Sequence, residues 1–138
     1  MKQISANKPV VNPSDASGLK MRIMTSDVLK AQMEAVNANP QKMSFKEVYG
    51  GLQTGVIDGQ ENTWSNIFSK KFFEVQDGVT ESNHGVLDYL LVTSSEFWNS
   101  LDGNTRSQLK KIIDEVAAEA NANAEQINKR DRQAIIDS

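Results

Sequence analysis

The order of hydrophobic and polar positions predicts a strand, a helix and a second strand near the start of the chain. Lys20–Met24 is short and apolar and suits a strand, with an extended candidate before it at Lys8–Val11. Ser26-Asp27 is a good N-cap, and Asn39-Pro40 ends the helix, which runs to about Ala38. The apolar stripe of this helix has helical spacing and contains Val28, Leu29, Gln32, Met33 and Val36. This order is typical of a βαβ unit.

The next stretch, Met43–Phe68, carries the most informative polar cluster. The pattern predicts a helix over about 46–53, a turn at Thr54-Gly55, and a buried apolar step at Val56-Ile57. Asp58–Asn62 follows that step at once, at the end of a strand, where α/β folds place ligands. The alternative is a polar loop in which Asn62 or Thr63 caps the next helix.

The rest of the chain predicts further alternation and then one long helix. A helix is expected over Thr63–Val75, strands over Val79–Asn83 and Val86–Thr93, and a short helix around Phe97. A long helix begins at Asn104 with a narrow apolar stripe between Leu109 and Ile127, and beyond Asn128 it is expected to fray. The predicted fold class is α/β: a small mixed sheet flanked by helices, with a long C-terminal helix.

Composition limits the function classes. The chain has 138 residues, 38% of them hydrophobic and 24% charged, which suits one globular domain. A net charge of -3 argues against a general nucleic-acid surface, so anion capture would need a local positive group. The absence of cysteine excludes thiolate chemistry and disulfides.

Arg22 and Asn62 are the first candidates for ligand contacts. Arg22 lies inside the short strand, and its planar guanidinium can bind a carboxylate through two parallel hydrogen bonds. The alternative is an exposed strand arginine, since arginines mostly lie on surfaces. Asn62 can both donate to and accept from a carboxylate or hydroxyl oxygen.

Neither a metal site nor an active site is predicted. Asp58, Gln60 and Asn62 resemble the start of a calcium loop, but Thr63 replaces its turn glycine and Ser69 its bidentate glutamate. The chain has one histidine and no serine elbow, and nothing indicates a raised pKa for an acid–base pair among its carboxylates. A phosphate-binding loop motif is also absent from the sequence. We therefore expect no enzyme and no cofactor.

Five sequence blocks together carry a family resemblance. The central block is SFKEVYGGLQTGVIDGQEN, and the others are GLKMRIM, NPQKMSF, KKFFEVQ and NHGVLDYLLVT. In this order they resemble the extracytoplasmic solute-binding subunit of TRAP transporters, the tripartite ATP-independent periplasmic carriers. With ENTWSN, the pattern is most similar to the C4-dicarboxylate-binding branch. The match covers about 5–101. Gly50-Gly51 departs from the family, which more often has alanine at the second position.

The resemblance implies a function and a set of site residues. It implies a periplasmic protein that captures malate, succinate or fumarate without catalysis and delivers it to a small and a large membrane subunit. Arg22 falls on the arginine that clamps a ligand carboxylate, and Asn62 on the pocket asparagine. Phe45 falls on an aromatic pocket position, although a plain core role is nearly as good. His84 falls near the cleft in some relatives, although a lone histidine is more often structural.

The resemblance also implies that the chain is one part of a two-lobed periplasmic binding protein. Polar residues follow Met1 where a secretory signal would be apolar, and family members are roughly twice as long. We therefore expect a fragment that lacks the N-terminal lobe. Residues 1–85 would form the ligand-binding lobe, and 86–138 a hinge strand and long helix that pack on the missing lobe.

An alternative function involves no small-molecule ligand. The stripe between Leu109 and Ile127 could form a helical dimer, which would make the chain an interaction module. Even within the transporter interpretation, a homodimer of the fragment is expected, since an uncovered apolar edge recruits another chain.

Overall fold

A five-stranded mixed sheet forms the centre of the protein, which is described here as a computed structural model of residues 1–138. The strands lie in the order β3-β2-β4-β1-β5. The central trio β3, β2 and β4 is parallel, and β1 pairs antiparallel with both β4 and β5. The strand bounds are β1 Lys2–Ala6, β2 Lys20–Ile23, β3 Asn39–Lys42, β4 Gly59–Thr63 and β5 Gly78–Gly85. The predicted mixed α/β fold is confirmed.

Helices cover both faces of the sheet and continue beyond it. None of them combines the length and apolarity that a membrane crossing would require. The α-helices are α1 Asp27–Glu34, α2 Val48–Gln53, α3 Trp64–Ser69, α4 Ser95–Ser100 and α5 Gly103–Ile136. Short 3₁₀ helices occupy Pro13–Ala16, Phe45–Glu47 and Phe72–Val75.

The sheet separates two hydrophobic cores, because successive side chains of a strand point to opposite faces. Met21 and Ile23 lie in the core shared with α1, whereas Arg22 points to the other face. The α1 core contains Ala6, Val10, Ala16, Leu19, Met21, Ile23, Met33 and Ala38. The opposite core contains Val48, Leu52, Ile57, Ile67 and Phe72.

The first predicted helix is shorter than expected. It starts at Asp27 with Ser26 as its N-cap, as predicted, but it ends at Glu34 instead of about Ala38. The chain then turns through Asn37, whose φ is 56°, and Asn39-Pro40 begins the edge strand β3. Proline has no N–H to donate, so it is tolerated at the edge of a sheet, where one side needs no partner.

Two polar strands were not recognised in the sequence. The extended candidate at Lys8–Val11 is not a strand, while Lys2–Ala6 forms β1 between two neighbours. Gly59–Thr63 forms β4, so the predicted polar cluster is itself the strand and does not follow one. All five β4 residues are buried, which hides the usual alternation of apolar and polar positions.

Two predictions about the middle of the chain are wrong. The single helix over Thr63–Val75 is broken after Ser69, where Lys71 adopts a φ of 57° before the 3₁₀ turn. The strand over Val86–Thr93 does not form; 86–94 has no regular structure, and Leu90 is 84% exposed. A strand needs a hydrogen-bonding neighbour, and this segment has none in the chain.

The long helix α5 does not fray beyond Asn128. Its last turns pack on α3, where the backbone N–H of Ser65 donates to Asn128 Oδ1 at 3.2 Å. Arg132 donates to Glu81 at 2.9 Å and lies over the Trp64 ring. These contacts explain why a charged C-terminal sequence stays helical.

The unusual Gly51 allows close packing inside α2. A Cβ there would lie 3.1 Å from the side chain of Met43 and 3.2 Å from that of Ile57. The neighbouring Gly50 has open space around it. Close packing against neighbouring side chains therefore applies to the second glycine only.

Candidate functional site

A cavity of about 300 Å³ opens at one end of the sheet, where β2 and β4 reach their carboxyl ends. Open α/β sheets bind ligands at this kind of edge. The β2 and β4 ends contribute Arg22, Met24, Glu61 and Asn62, and the start of β1 contributes Lys2. Phe45, Asn66 and 87–89 complete the lining. Three of the four predicted site residues, namely Arg22, Phe45 and Asn62, therefore line one cavity.

Arg22 supplies hydrogen-bond donors to this cavity. The residue is 3% exposed, and its Nε donates to the Met43 carbonyl at 2.9 Å. Its Nη1 and Nη2 groups make no hydrogen bond within the chain. Burial lowers the pKa of the guanidinium, and the negative charge of Glu61 opposes that shift. A guanidinium stays protonated at any physiological pH, so Arg22 presents a partly desolvated positive charge.

Asn62 presents an amide donor beside Arg22. Its Oδ1 accepts from the backbone N–H of Thr63 at 3.1 Å and from Asn66 Nδ2 at 2.7 Å. A backbone N–H can only donate, which fixes the amide with its oxygen inward. Nδ2 makes no hydrogen bond within the chain. Thr63 caps α3 by accepting from Asn66 N at 3.4 Å, so the capping alternative applies to Thr63, while Asn62 stays available.

Phe45 serves both the cavity and the core. Its ring packs edge-on against Phe72 with centroids 5.7 Å apart. The Arg22 guanidinium carbon lies 5.6 Å from the centre of the same ring. The ring therefore shields one side of the guanidinium from water and attracts its charge, so the pocket and core interpretations both hold.

A buried charge cluster, which no local sequence pattern indicates, lies on the other side of the cavity. Lys2 and Glu61 form an ion pair in which both side chains are under a tenth exposed. His84 Nε2 lies 3.4 Å from Glu61 Oε2, and His84 Nδ1 shares a 2.7 Å hydrogen bond with Ser82 Oγ. The pairing of β1 with both β4 and β5 brings these distant positions together, since Ile4 lies opposite Glu61 and Lys2 lies opposite Gly85. Glu61 forms its salt bridge with Lys2, which leaves Arg22 as a buried cation without a salt-bridge partner.

His84 does not line the cavity. It lies in an adjacent cavity of about 360 Å³ beneath α1, whose walls are mainly apolar and include Ile4, Met33 and Val36. A third space, of about 480 Å³, lies between 91–98 and the part of α5 around Leu109. Neither space contains an unpaired buried cation with free donors, so the cavity lined by Arg22 is the better candidate for an anion site.

The remaining polar candidates have structural roles. Asp58 Oδ2 accepts from the backbone N–H of Lys20 at 2.8 Å, and its Oδ1 accepts from Asn7. No group of three or more histidine and acidic side chains is placed to hold a metal ion. Both Asp58 carboxylate oxygens are thus occupied by donors within the chain, and Gln60 and Asn62 belong to strand β4, not to a loop that could wrap around an ion.

Comparison with known families gives a match over the whole chain. The family model described as bacterial extracellular solute-binding protein, family 7, matches residues 1–138. The C4-dicarboxylate-binding periplasmic protein DctP of Vibrio cholerae is 61% identical over 138 residues, which are 100% of this chain and 42% of that protein. The DctP protein of Rhodobacter capsulatus is 47% identical over 137 residues, covering 99% of this chain and 41% of the relative.

Solved structures agree in fold. A TRAP periplasmic solute-binding protein from Shewanella oneidensis, with bound succinate, has a TM-score of 0.97 and 55% identity; the match covers 99% of this chain and 45% of that one. A similar protein from Pseudomonas aeruginosa, with bound L-malate, has a TM-score of 0.95 and 42% identity, covering 99% and 47%. This chain thus spans about two fifths of the curated relatives' length.

Proposed function

Since this chain belongs to family 7 of the bacterial extracellular solute-binding proteins, the binding subunits of TRAP transporters, we propose that it forms the carboxylate-binding wall of a C4-dicarboxylate cleft. The predicted family resemblance and the extracytoplasmic location are confirmed by this membership. The ligand class comes from relatives described as C4-dicarboxylate-binding and from neighbours that hold succinate or malate.

The observation that carries the proposal is the buried guanidinium of Arg22 with both Nη groups free, beside the free Nδ2 of Asn62. Two Nη groups can donate to the two oxygens of one carboxylate in a planar fork. Asn62 then orients the ligand by donating to a carboxylate or hydroxyl oxygen. Phe45 restricts where the guanidinium can lie and covers it from water.

His84 has an indirect role in this proposal. It contacts the ligand wall only through Glu61, which is itself paired with Lys2. We assign the Lys2–Glu61–His84 cluster to holding the ends of β1, β4 and β5 in register at the mouth of the cavity. The cavity then stays open, and of the two buried cations that line it, Lys2 and Arg22, only Arg22 lacks a salt-bridge partner.

The proposed role is binding and delivery without catalysis. In this family the ligand-bound protein docks on a small and a large membrane subunit, and we propose the same partners for this chain. Residues 1–85 with the last turns of α5 would form one lobe, and the exposed part of 86–127 would contact a second lobe. Closure of the two lobes would remove water from the Arg22–carboxylate pair and strengthen it.

The test is a chimera in which this chain replaces the matching segment of the Vibrio cholerae relative. Calorimetric titration with succinate and malate should give binding in the chimera and weaker binding in this chain alone. Arg22→Ala should cost about 2–5 kcal/mol of binding free energy, since it removes one partner of a buried charge pair. Arg22→Lys should also weaken binding, because lysine lacks the planar fork.

The matched control removes a positive charge far from the cavity. Lys8→Ala, at an exposed position after the end of β1 that lies away from the cavity, should leave the affinity for succinate unchanged. Undiminished affinity in Arg22→Ala would refute the proposed site. Equal losses in Arg22→Ala and Lys8→Ala would show that overall charge, and not this cavity, attracts the ligand.

A further inference from the structure

A buried glutamine stands directly beside the arginine of the proposed site. Gln60 on β4 is the register partner of Arg22 on β2, so both side chains point to the same face of the sheet. Gln60 is fully buried, and its Oε1 has no hydrogen-bond partner. Buried acceptors without partners are rare, and each lowers stability unless a donor reaches it.

A hydrogen-bond chain fixes which way the Gln60 amide points. Gln60 Nε2 donates to Ser5 Oγ at 2.9 Å, and Ser5 Oγ donates to Gln76 Oε1 at 3.0 Å. Gln76 Nε2 in turn donates to backbone carbonyls, including that of Val75 at 3.2 Å. Ser5 lies on β1, on one side of β4, whereas Arg22 lies on β2, on the other side. With Nε2 held towards Ser5, Oε1 is left on the side of Arg22.

The free Nη donors of Arg22 complement the unpaired Oε1 acceptor of Gln60. Arg22 uses only Nε within the chain, so its Nη groups are free, and Gln60 offers a buried oxygen without a partner on the same face of the sheet. Gln60 is not part of the cavity lining, so a ligand cannot reach that oxygen directly.

We propose that Gln60 is a positioning residue for Arg22, whose Nη edge donates to Gln60 Oε1 through one ordered water. The Met43 carbonyl would then hold the guanidinium at Nε, and Gln60 would hold an Nη hydrogen that points away from the cavity. The Nη hydrogens that point into the cavity would remain for a ligand. The chain Gln76–Ser5–Gln60 links this orientation to β1 and to the segment before β5. The consequence for affinity rests on the proposed carboxylate role of Arg22.

Gln41 provides a matched control, because it is the register partner of Arg22 on the other side, in β3. Its Nε2 donates to Asn39 at an exposed position. In this chain labelled with ¹⁵N, the rotation rate of the Arg22 guanidinium about its Nε–Cζ bond can be measured by NMR. Gln60→Leu should speed that rotation, whereas Gln41→Leu should leave it unchanged. Equal rates in Gln60→Leu and the unaltered chain would overturn the proposal.

Further variants guard against loss of the fold. Gln60→Glu keeps an oxygen beside Arg22 and adds a charge, so rotation should be slower than in the unaltered chain. Ser5→Ala removes the group that orients the Gln60 amide and should speed rotation less than Gln60→Leu. If Gln60→Leu does not fold, unaltered rotation in both Gln60→Glu and Ser5→Ala would overturn the proposal.

The ligand arm uses the chimera and succinate. Gln60→Leu should weaken succinate binding about tenfold, the scale of one net hydrogen bond, and should have no further effect in an Arg22→Ala background. Coupling of Gln60 to Arg22 rotation without any succinate binding would refute the proposed function and leave the positioning role supported. Succinate binding that depends on Arg22 but is unaffected by Gln60→Leu would support the function and overturn the positioning role.

Discussion

The sheet region, which is residues 1–85 with the last turns of α5, differs from 86–127 in how far its apolar side chains are buried within the chain. In the sheet region two cores lie on opposite faces of one sheet, and even its polar strands β1 and β4 are buried. Between residues 86 and 127 no residue is buried, although the sequence there includes Leu90, Leu91, Val92 and Phe97. Apolar patterning alone therefore does not reveal which segments pack within the chain. Large apolar side chains of 86–127, such as Leu90 and Leu91, stay exposed to solvent in this chain.

The largest expected difference between the regions is in the stability of single substitutions. Phe72→Ala removes a ring that is 1% exposed and should lower the free energy of unfolding by about 3–5 kcal/mol. Leu91→Ala, at 77% exposure, should change it by less than about 0.5 kcal/mol. Urea denaturation at dilutions where the chain is monomeric measures both. A large effect of Leu91→Ala in the monomer would show that the segment packs within the chain.

Breaking the buried Lys2–Glu61 ion pair at the cavity should lower the free energy of unfolding nearly as much as Phe72→Ala does. Lys2→Ala leaves Glu61 buried without its cation and should cost about 3–5 kcal/mol of stability. The control is the exposed pair of Lys110 and Asp114, where Lys110→Ala should cost no more than about 1 kcal/mol. Thermal unfolding of the three chains distinguishes them, and similar losses in both variants would contradict the packing described for β1 and β4.

A smaller effect is expected for Asn62 in ligand binding. A neutral hydrogen bond contributes about 0.5–1.5 kcal/mol net, so Asn62→Ala should weaken succinate binding less than Arg22→Ala does. Calorimetry on the chimera compares them. A loss as large as that of Arg22→Ala would reverse the roles proposed for the two residues.

Self-association of the chain should be lost on substitution at its exposed apolar surface, with little change in the stability of the sheet region. The exposed segment around Leu90 and the stripe from Leu109 should pair two copies of this chain. Leu91→Lys with Ile112→Lys should make the chain monomeric, while unfolding of the sheet region changes by less than about 0.5 kcal/mol. Analytical ultracentrifugation over a wide concentration range measures this. A monomeric unaltered chain would refute the association.

Sequence reasoning located three residues that line the candidate cavity but missed their surroundings. Arg22, Asn62 and Phe45 were found through the family resemblance, and the cavity brings them together. Lys2 and Gln60 were missed as neighbours of the site, because their contacts depend on the pairing of strands that are distant in the sequence. His84 was expected near the cleft, and it lies one residue away, behind Glu61.

By itself, the sequence determined the α/β class, the family, Ser26 as the N-cap of α1 and the cation proposed for the site. These depend on local signals: apolar spacing, capping residues and conspicuous motifs. Only the tertiary structure decided that Lys2–Ala6 and Gly59–Thr63 are strands, that 86–94 is not, and that α5 continues to Ile136. The physical reason is that a polar strand or helix end is stabilised by partners from distant segments, through hydrogen bonds and ion pairs that no local pattern records.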